Sequence, residues 1–114
     1  MRSFITHSVP VSGGMLRAIQ WGPNPEMARA TVIAAHGITA SSRSMLAVAG
    51  AVDPSVCLVA VDLRGRGDSN QLPPPFGLEV HAHDVAAVAD HLGVDTVSLL
   101  GHSLGAHVAT TVAA

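Results

Sequence analysis

The sequence contains no lysine and no tyrosine, and it has one tryptophan, two phenylalanines and one cysteine. Each scarcity closes off a class of protein. The only basic side chains besides histidine are six arginines, scattered along the chain, and the formal charge is −2; a polyanion binder needs a basic patch or stripe, so nucleic acid is not an expected partner. A chain that uses arginine and never lysine points to a GC-rich genome more than to a chemistry. One cysteine, Cys57, cannot form an internal disulfide; it sits in an apolar run and reads as a small buried hydrophobe in a reducing compartment. No run approaches the roughly 18 apolar residues of a membrane span. The N-terminal segment Met1-Arg2-Ser3-Phe4-Ile5-Thr6-His7 lacks the apolar centre of a signal peptide. The expectation is a soluble, cytoplasmic chain with no membrane partner.

What is present is a small, apolar domain. Hydrophobic residues make up 48% of the 114 positions and charged residues 12%, which is too apolar for disorder. Most of the apolar side chains are Ala and Val, so the core has little area to bury and the isolated chain should be marginally stable. There is no internal repeat, low-complexity segment or linker, so residues 1–114 read as part of one domain.

In order, Phe4–Val9 and Met15–Trp21 alternate well enough for two strands, joined by a turn with Gly13-Gly14 into a hairpin. Thr31–Ala35 and Val56–Val61 are continuous apolar runs, the pattern of strands covered on both faces in a parallel sheet. Between them Ser41 or Ser42 could cap a helix through about Val52, with Met45, Leu46 and Val48-Ala49 on its apolar side. Pro73-Pro74-Pro75 marks an irregular loop. Leu78–Leu92 is the clearest helix, its stripe formed by Leu78, Ala82, Val85, Val88, Ala89 and Leu92 and its end set by Gly93. Thr96–Leu100 is a fifth strand, and a helix begins at Leu104. Strands alternating with helices argue for a parallel α/β sheet.

The fifth strand runs directly into Gly101-His102-Ser103-Leu104-Gly105. Strand, Gly-x-Ser-x-Gly and helix is the order of a nucleophile elbow, in which a tight, strained turn lifts the serine hydroxyl above the strand ends. Gly101 and Gly105 flank the turn because a side chain at either place would clash where strand and helix cross. Two other stretches also follow strands: His36-Gly37 after the third, and Asp62-Leu63-Arg64-Gly65-Arg66-Gly67-Asp68-Ser69 after the fourth.

Taken together, these three stretches closely resemble, in order and spacing, the N-terminal half of an α/β-hydrolase fold serine hydrolase, and the resemblance covers essentially the whole chain. It implies an N-terminal hairpin followed by βαβαβ in a mostly parallel sheet, with the C-terminal strands and lid absent. It implies Ser103 as nucleophile and an oxyanion hole made by the backbone N–H groups of Leu104 and Ile38, with His36 and Gly37 supporting the oxyanion loop. Gly101, His102 and Gly105 would complete the elbow. The substrate implied is a small molecule with an ester, lactone or related carbonyl, and no cofactor or metal is implied. Serine at position 103, where dehalogenases and epoxide hydrolases of similar fold attack with a carboxylate, argues against those branches. Histidine occupies the place of Arg66 in many relatives, a loop change expected to matter little.

Downstream of Ser103 there is no carboxylate and one histidine, His107. A seryl hydroxyl is a poor nucleophile without a base, and the triad order in this fold is Ser, then Asp or Glu, then His. The chain therefore reads as the N-terminal piece of a longer enzyme and is expected to be inactive alone. The local histidines do not substitute: His107 shares a helix face with Ser103 but is carried away from the mouth, His102 diverges from Ser103, and His36 is better placed to hold the oxyanion loop by a hydrogen bond. His81, His83 and His91 read as a solvated helix face, because residues two apart on a helix point to opposite sides and cannot share a metal. Arg64 is expected to brace its loop through a carboxylate, Asp84 either pairs with a loop residue or is exposed, and Asp62 and Ser69 are expected to cap the turn. The Arg66-Gly67-Asp68 tripeptide reads as accidental. The competing reading is a non-catalytic binding module whose fifth strand forms an exposed apolar edge, to be covered by a second copy or by a separate C-terminal half.

Overall fold

The computed structural model describes residues 3–114; Met1 and Arg2, the start of the segment judged above for a leader, lie outside the described residues. Five strands, β1 (Ile5–Val11), β2 (Gly14–Trp21), β3 (Ala30–Ala35), β4 (Val56–Val61) and β5 (Ser98–Gly101), form one sheet in the order β1-β2-β4-β3-β5. β1 and β2 pair as an antiparallel hairpin and β2 pairs antiparallel with β4, whereas β3 runs parallel to both β4 and β5. The helices are α1 (Leu46–Ala51), α2 (Leu78–Leu92) and α3 (Leu104–Ala113). This is the N-terminal hairpin and mostly parallel sheet expected from the sequence, with β5 at an edge. Among the described residues, β5 pairs on one side only.

The two apolar runs are buried on both faces, as their lack of alternation implied. Ile33 and Ala35 of β3, with Cys57, Val59 and Val61 of β4, face the side covered by α2 and α3, where Val85, Val88 and Val108 pack against them. Ala34, Leu58 and Ala60 face the other side, with Trp21, Met45 and Ala49. Burying one Leu or Val side chain contributes about 1.5–3 kcal/mol, so both layers matter to a chain built of small residues. Cys57 is a free, fully buried thiol whose pKa burial pushes up. Among the described residues no helix is long and apolar enough to cross a membrane.

Several boundaries differ from the sequence reading. The helix expected from Ser41 or Ser42 to Val52 is a 3₁₀ turn at Ser42–Met45 followed by the six-residue α1; Ser41 does supply the cap, its hydroxyl accepting from the Arg43 N–H. β1 starts one residue later than expected and runs on to Val11, and β5 is shifted to include Gly101. α2 has the expected span and ends on Gly93 in the left-handed conformation, but its buried face is His81, Asp84, Val85 and Val88. Leu78, placed on the apolar stripe from the sequence, is 40% exposed. The buried stripe is thus rotated toward polar residues, for a reason that the site explains.

Candidate active site

Register brings the three stretches together. Ala35, the last residue of β3, pairs with Val61 on β4 and with Gly101 on β5, so three parallel strands end at one level. His36-Gly37, Asp62–Ser69 and the elbow therefore emerge side by side at the carboxyl end of the sheet, which is where open α/β sheets bind ligands.

Ser103 is the only non-glycine residue with positive φ among the described residues, at φ 57° and ψ −117°. An L-residue there carries strain on the order of 1–3 kcal/mol, which persists only where the surroundings over-determine it. They do so here by close approach. A Cβ on Gly105 would overlap the Ala35 carbonyl oxygen, and a Cβ on Gly101 would overlap the Gly105 carbonyl. The His102 N–H donates to the Ala35 carbonyl (3.1 Å), tying the elbow to the end of β3. Ser103 is exposed, and its hydroxyl has no hydrogen-bond partner among the described residues. Leu104 opens α3, where helix N–H groups lack internal acceptors and favour negative charge.

The loop after β3 lies against the elbow. A Cβ on Gly37 would stand 3.5 Å from both the Ser103 Cβ and the His102 Nδ1. His36 is fully buried and bridges two loops: its Nε2 accepts from the Leu63 N–H (3.0 Å), which leaves Nδ1 to donate to the Gly37 carbonyl (2.6 Å). Both hydrogen bonds fit a neutral ring, and burial holds its pKa below the ordinary histidine value, against an opposing pull from the Gly37 carbonyl. The Ala40 N–H also donates to the Gly37 carbonyl (3.1 Å). In a trans peptide N–H and C=O point opposite ways, so anchoring the Gly37 oxygen on one side presents the Ile38 N–H on the other. The Ile38 side chain is 58% exposed and anchors nothing.

The turn after β4 is held by buried charge. Arg64 meets Asp84 of α2 through two hydrogen bonds, Nε to Oδ2 at 2.8 Å and Nη2 to Oδ1 at 3.0 Å, and also donates to the carbonyls of Pro73 (3.0 Å) and Ser12 (2.7 Å). Asp84 is therefore the carboxylate that the arginine was expected to find, and the two alternatives for Asp84 resolve to pairing. Pairing raises the pKa of the Arg64 guanidinium further. This buried ion pair is why α2 turns a polar face inward. Asp62 accepts from the N–H groups of Asp68 (3.2 Å) and Ser42 (2.7 Å), capping its own turn and tying it to the 3₁₀ turn at Ser42–Met45. Ser69 departs from expectation: its hydroxyl accepts from the Arg17 N–H on β2 (2.9 Å) and so joins the turn to the hairpin.

Two further residues depart from their sequence readings. His81 is fully buried, not solvated, and neither of its ring nitrogens meets a hydrogen-bond partner; burial first, then the charge of Arg66, lowers its pKa. His83 and His91 are exposed as expected. Arg66, read as a neutral loop change, reaches across the mouth: its Nε donates to the Ile38 carbonyl (3.0 Å) and its Nη1 to the Arg64 carbonyl (3.0 Å). No sequence signal announces this contact, because it joins loops 28 positions apart. His102 and His107 are exposed, and among the described residues no group of three His, Cys, Asp or Glu side chains could hold a metal.

Comparison with known proteins matches residues 30–114 to a family model described as the alpha/beta hydrolase fold. Among curated proteins, the chain is 36% identical over 74 residues to a soluble epoxide hydrolase from a Corynebacterium species, covering 65% of this chain and 26% of that protein. It is 30% identical over 111 residues to the 2-(acetamidomethylene)succinate hydrolase of Mesorhizobium japonicum, covering 97% and 38%. Among solved structures it superposes on a thioesterase domain from the curacin biosynthetic pathway with a TM-score of 0.85 at 26% identity, over 97% of this chain and 39% of that one. The chain thus spans well under half the length of each.

Proposed function

The chain belongs to the alpha/beta hydrolase fold family, and from that premise we propose that its complete form is a serine hydrolase working through an acyl-enzyme. The observation that carries this reading is the side chain at the strained elbow: a serine, with its hydroxyl free and open to solvent, flanked by two glycines that admit no Cβ. Ser103 Oγ attacks the carbonyl carbon of an ester, lactone or related substrate. The N–H groups of Leu104 and Ile38 receive the oxyanion, and the leaving group departs to give the acyl-serine. Water then attacks the acyl-serine, releasing the acid and restoring Ser103. The proton is carried by a histidine oriented by an acid, both supplied from outside these 114 residues. Relatives named as a thioesterase domain and as the hydrolase of an acetamido compound extend the candidate carbonyls to thioesters and amides. The epoxide hydrolase likeness is to the scaffold, since the family's epoxide-opening members attack with a carboxylate where this chain has Ser103. A lone buried thiol fits a cytoplasmic setting.

The test is a fluorophosphonate probe on the protein as its native source makes it. Labelling should map to Ser103 and vanish in Ser103→Ala, and the 114-residue chain alone should not label. Labelling that survives Ser103→Ala would overturn the assignment. A second reading, a non-catalytic module whose open β5 edge seats a second copy or a separate C-terminal half, draws on that unpaired edge and on Leu100, 37% exposed. It predicts a native mass equal to the short chain and no labelling.

A further inference from the structure

We propose that Arg66 is a positioning residue for the oxyanion hole, acting through the carbonyl of Ile38; the proposal rests on the serine hydrolase reading above. Ile38 lies between two peptide planes. The first is fixed by its carbonyl, that of Gly37, which accepts from His36 Nδ1 and the Ala40 N–H. The second is fixed by the Ile38 carbonyl, and among the described residues the only side chain that reaches it is Arg66, through Nε at 3.0 Å. The Ile38 side chain projects into solvent, so packing supplies no anchor. The direction of the Ile38 N–H is therefore set by hydrogen bonds on either side of the residue, and Arg66 provides one of them.

A guanidinium suits this task because its planar fork donates in fixed directions. Arg66 uses Nε for Ile38 and Nη1 for the Arg64 carbonyl, while the side chain of Arg64 is itself locked on Asp84. The oxyanion loop is thus tied through one half-buried arginine to the residue that carries the buried Arg64–Asp84 ion pair. A monodentate donor at position 66 reproduces the contact with Ile38 but not the simultaneous one with Arg64.

Arg66→Met removes the tie and Arg66→Lys keeps a single donor. Both are made in the protein as its source produces it and assayed with p-nitrophenyl acetate, with a trifluoromethyl ketone as a mimic of the tetrahedral oxyanion. Misplacement by about 1 Å at a reacting centre costs up to about a hundredfold, so Arg66→Met should lower kcat by about ten- to a hundredfold with KM nearly unchanged. Affinity for the ketone should fall by the same factor as kcat/KM, and Arg66→Lys should recover part of both. A thermal melt is read on each variant first; if Arg66→Met does not fold, Arg66→Lys carries the comparison alone, with a partial loss expected in both kcat and ketone affinity. Retained kcat, or loss of kcat without matching loss of ketone affinity, would overturn the positioning role while leaving the serine hydrolase reading intact. A parent protein that neither hydrolyses the ester nor labels with a fluorophosphonate would overturn both.

Discussion

Replacing Asp84 by alanine leaves Arg64 as a buried cation without a counter-charge. The side chains of the pair are 2% and 4% exposed, so water cannot take the place of the carboxylate without opening the loop. Breaking such a pair from one side typically costs about 3–5 kcal/mol. Here the guanidinium keeps the Pro73 and Ser12 carbonyls as acceptors, which places the expected cost near the lower end, about 3 kcal/mol. Against a typical domain stability of about 5–15 kcal/mol that is a large fraction, and with a urea slope of about 1–3 kcal/mol per molar the midpoint should fall by about 1–3 M. Urea melts followed by far-UV circular dichroism measure it. The control is the double variant Arg64→Met with Asp84→Leu, which removes both charges and roughly keeps the volume; it should regain most of the loss, since a buried pair adds little net stability over apolar side chains. A midpoint that moves by less than about 0.5 M in Asp84→Ala, or a double variant as unstable as the single one, would refute the argument that an uncompensated charge is the cause.

Two other outcomes are expected. His36 and His81 both have pKa values lowered in the folded state, chiefly by burial, so the unfolded chain takes up protons first as pH falls. Their contribution is complete above the ordinary histidine value of 6.5 and is lost as pH drops below it, at up to about 1.4 kcal/mol per pH unit for each group. Melts between pH 7.5 and 5 should show that slope, and His81→Leu should flatten it; no change in slope would contradict it. Ser103→Gly relieves the strained backbone, worth about 1–3 kcal/mol, against about 0.5–1 kcal/mol for the added chain entropy of glycine. The melting temperature should therefore hold or rise while fluorophosphonate labelling of the native protein disappears, and a clear drop in melting temperature would show that the turn is not strained.

The fold was legible in the sequence wherever a segment had to be covered on both faces. Val56–Val61 reads as a strand covered on both faces, and Gly101 and Gly105 announced a crossing too tight for a Cβ. The parts that were not legible concern which polar groups go inside. His81 and Asp84 are spaced to face the sheet with Val85 and Val88, yet the chemistry of His81 suggested solvent and that of Asp84 allowed either pairing or exposure. What draws Asp84 inward is Arg64, 20 positions earlier, and no local periodicity encodes that pairing. Arg66 was misjudged for a related reason: its partner at Ile38 is decided by how two loops leave parallel strands that end at the same level. The placing of Ser69 against β2 likewise depends on the sheet order, which sets the hairpin beside β4.

The single tryptophan gives this molecule an optical property that bears on all of these measurements. Trp21 is 2% exposed, its ring meets that of Phe4 edge-on with centroids 6.2 Å apart, and there is no tyrosine in the sequence. Excitation at wavelengths absorbed by indole therefore reports from one spot, on the α1 side of the sheet, opposite the layer that holds Asp84. Emission from Trp21 samples one layer, and helical dichroism, carried mostly by the longer α2 and α3, samples chiefly the other. If both signals shift together when the ion pair is cut, the two sides of the sheet melt as a unit; if the tryptophan lags, each layer has its own melting point.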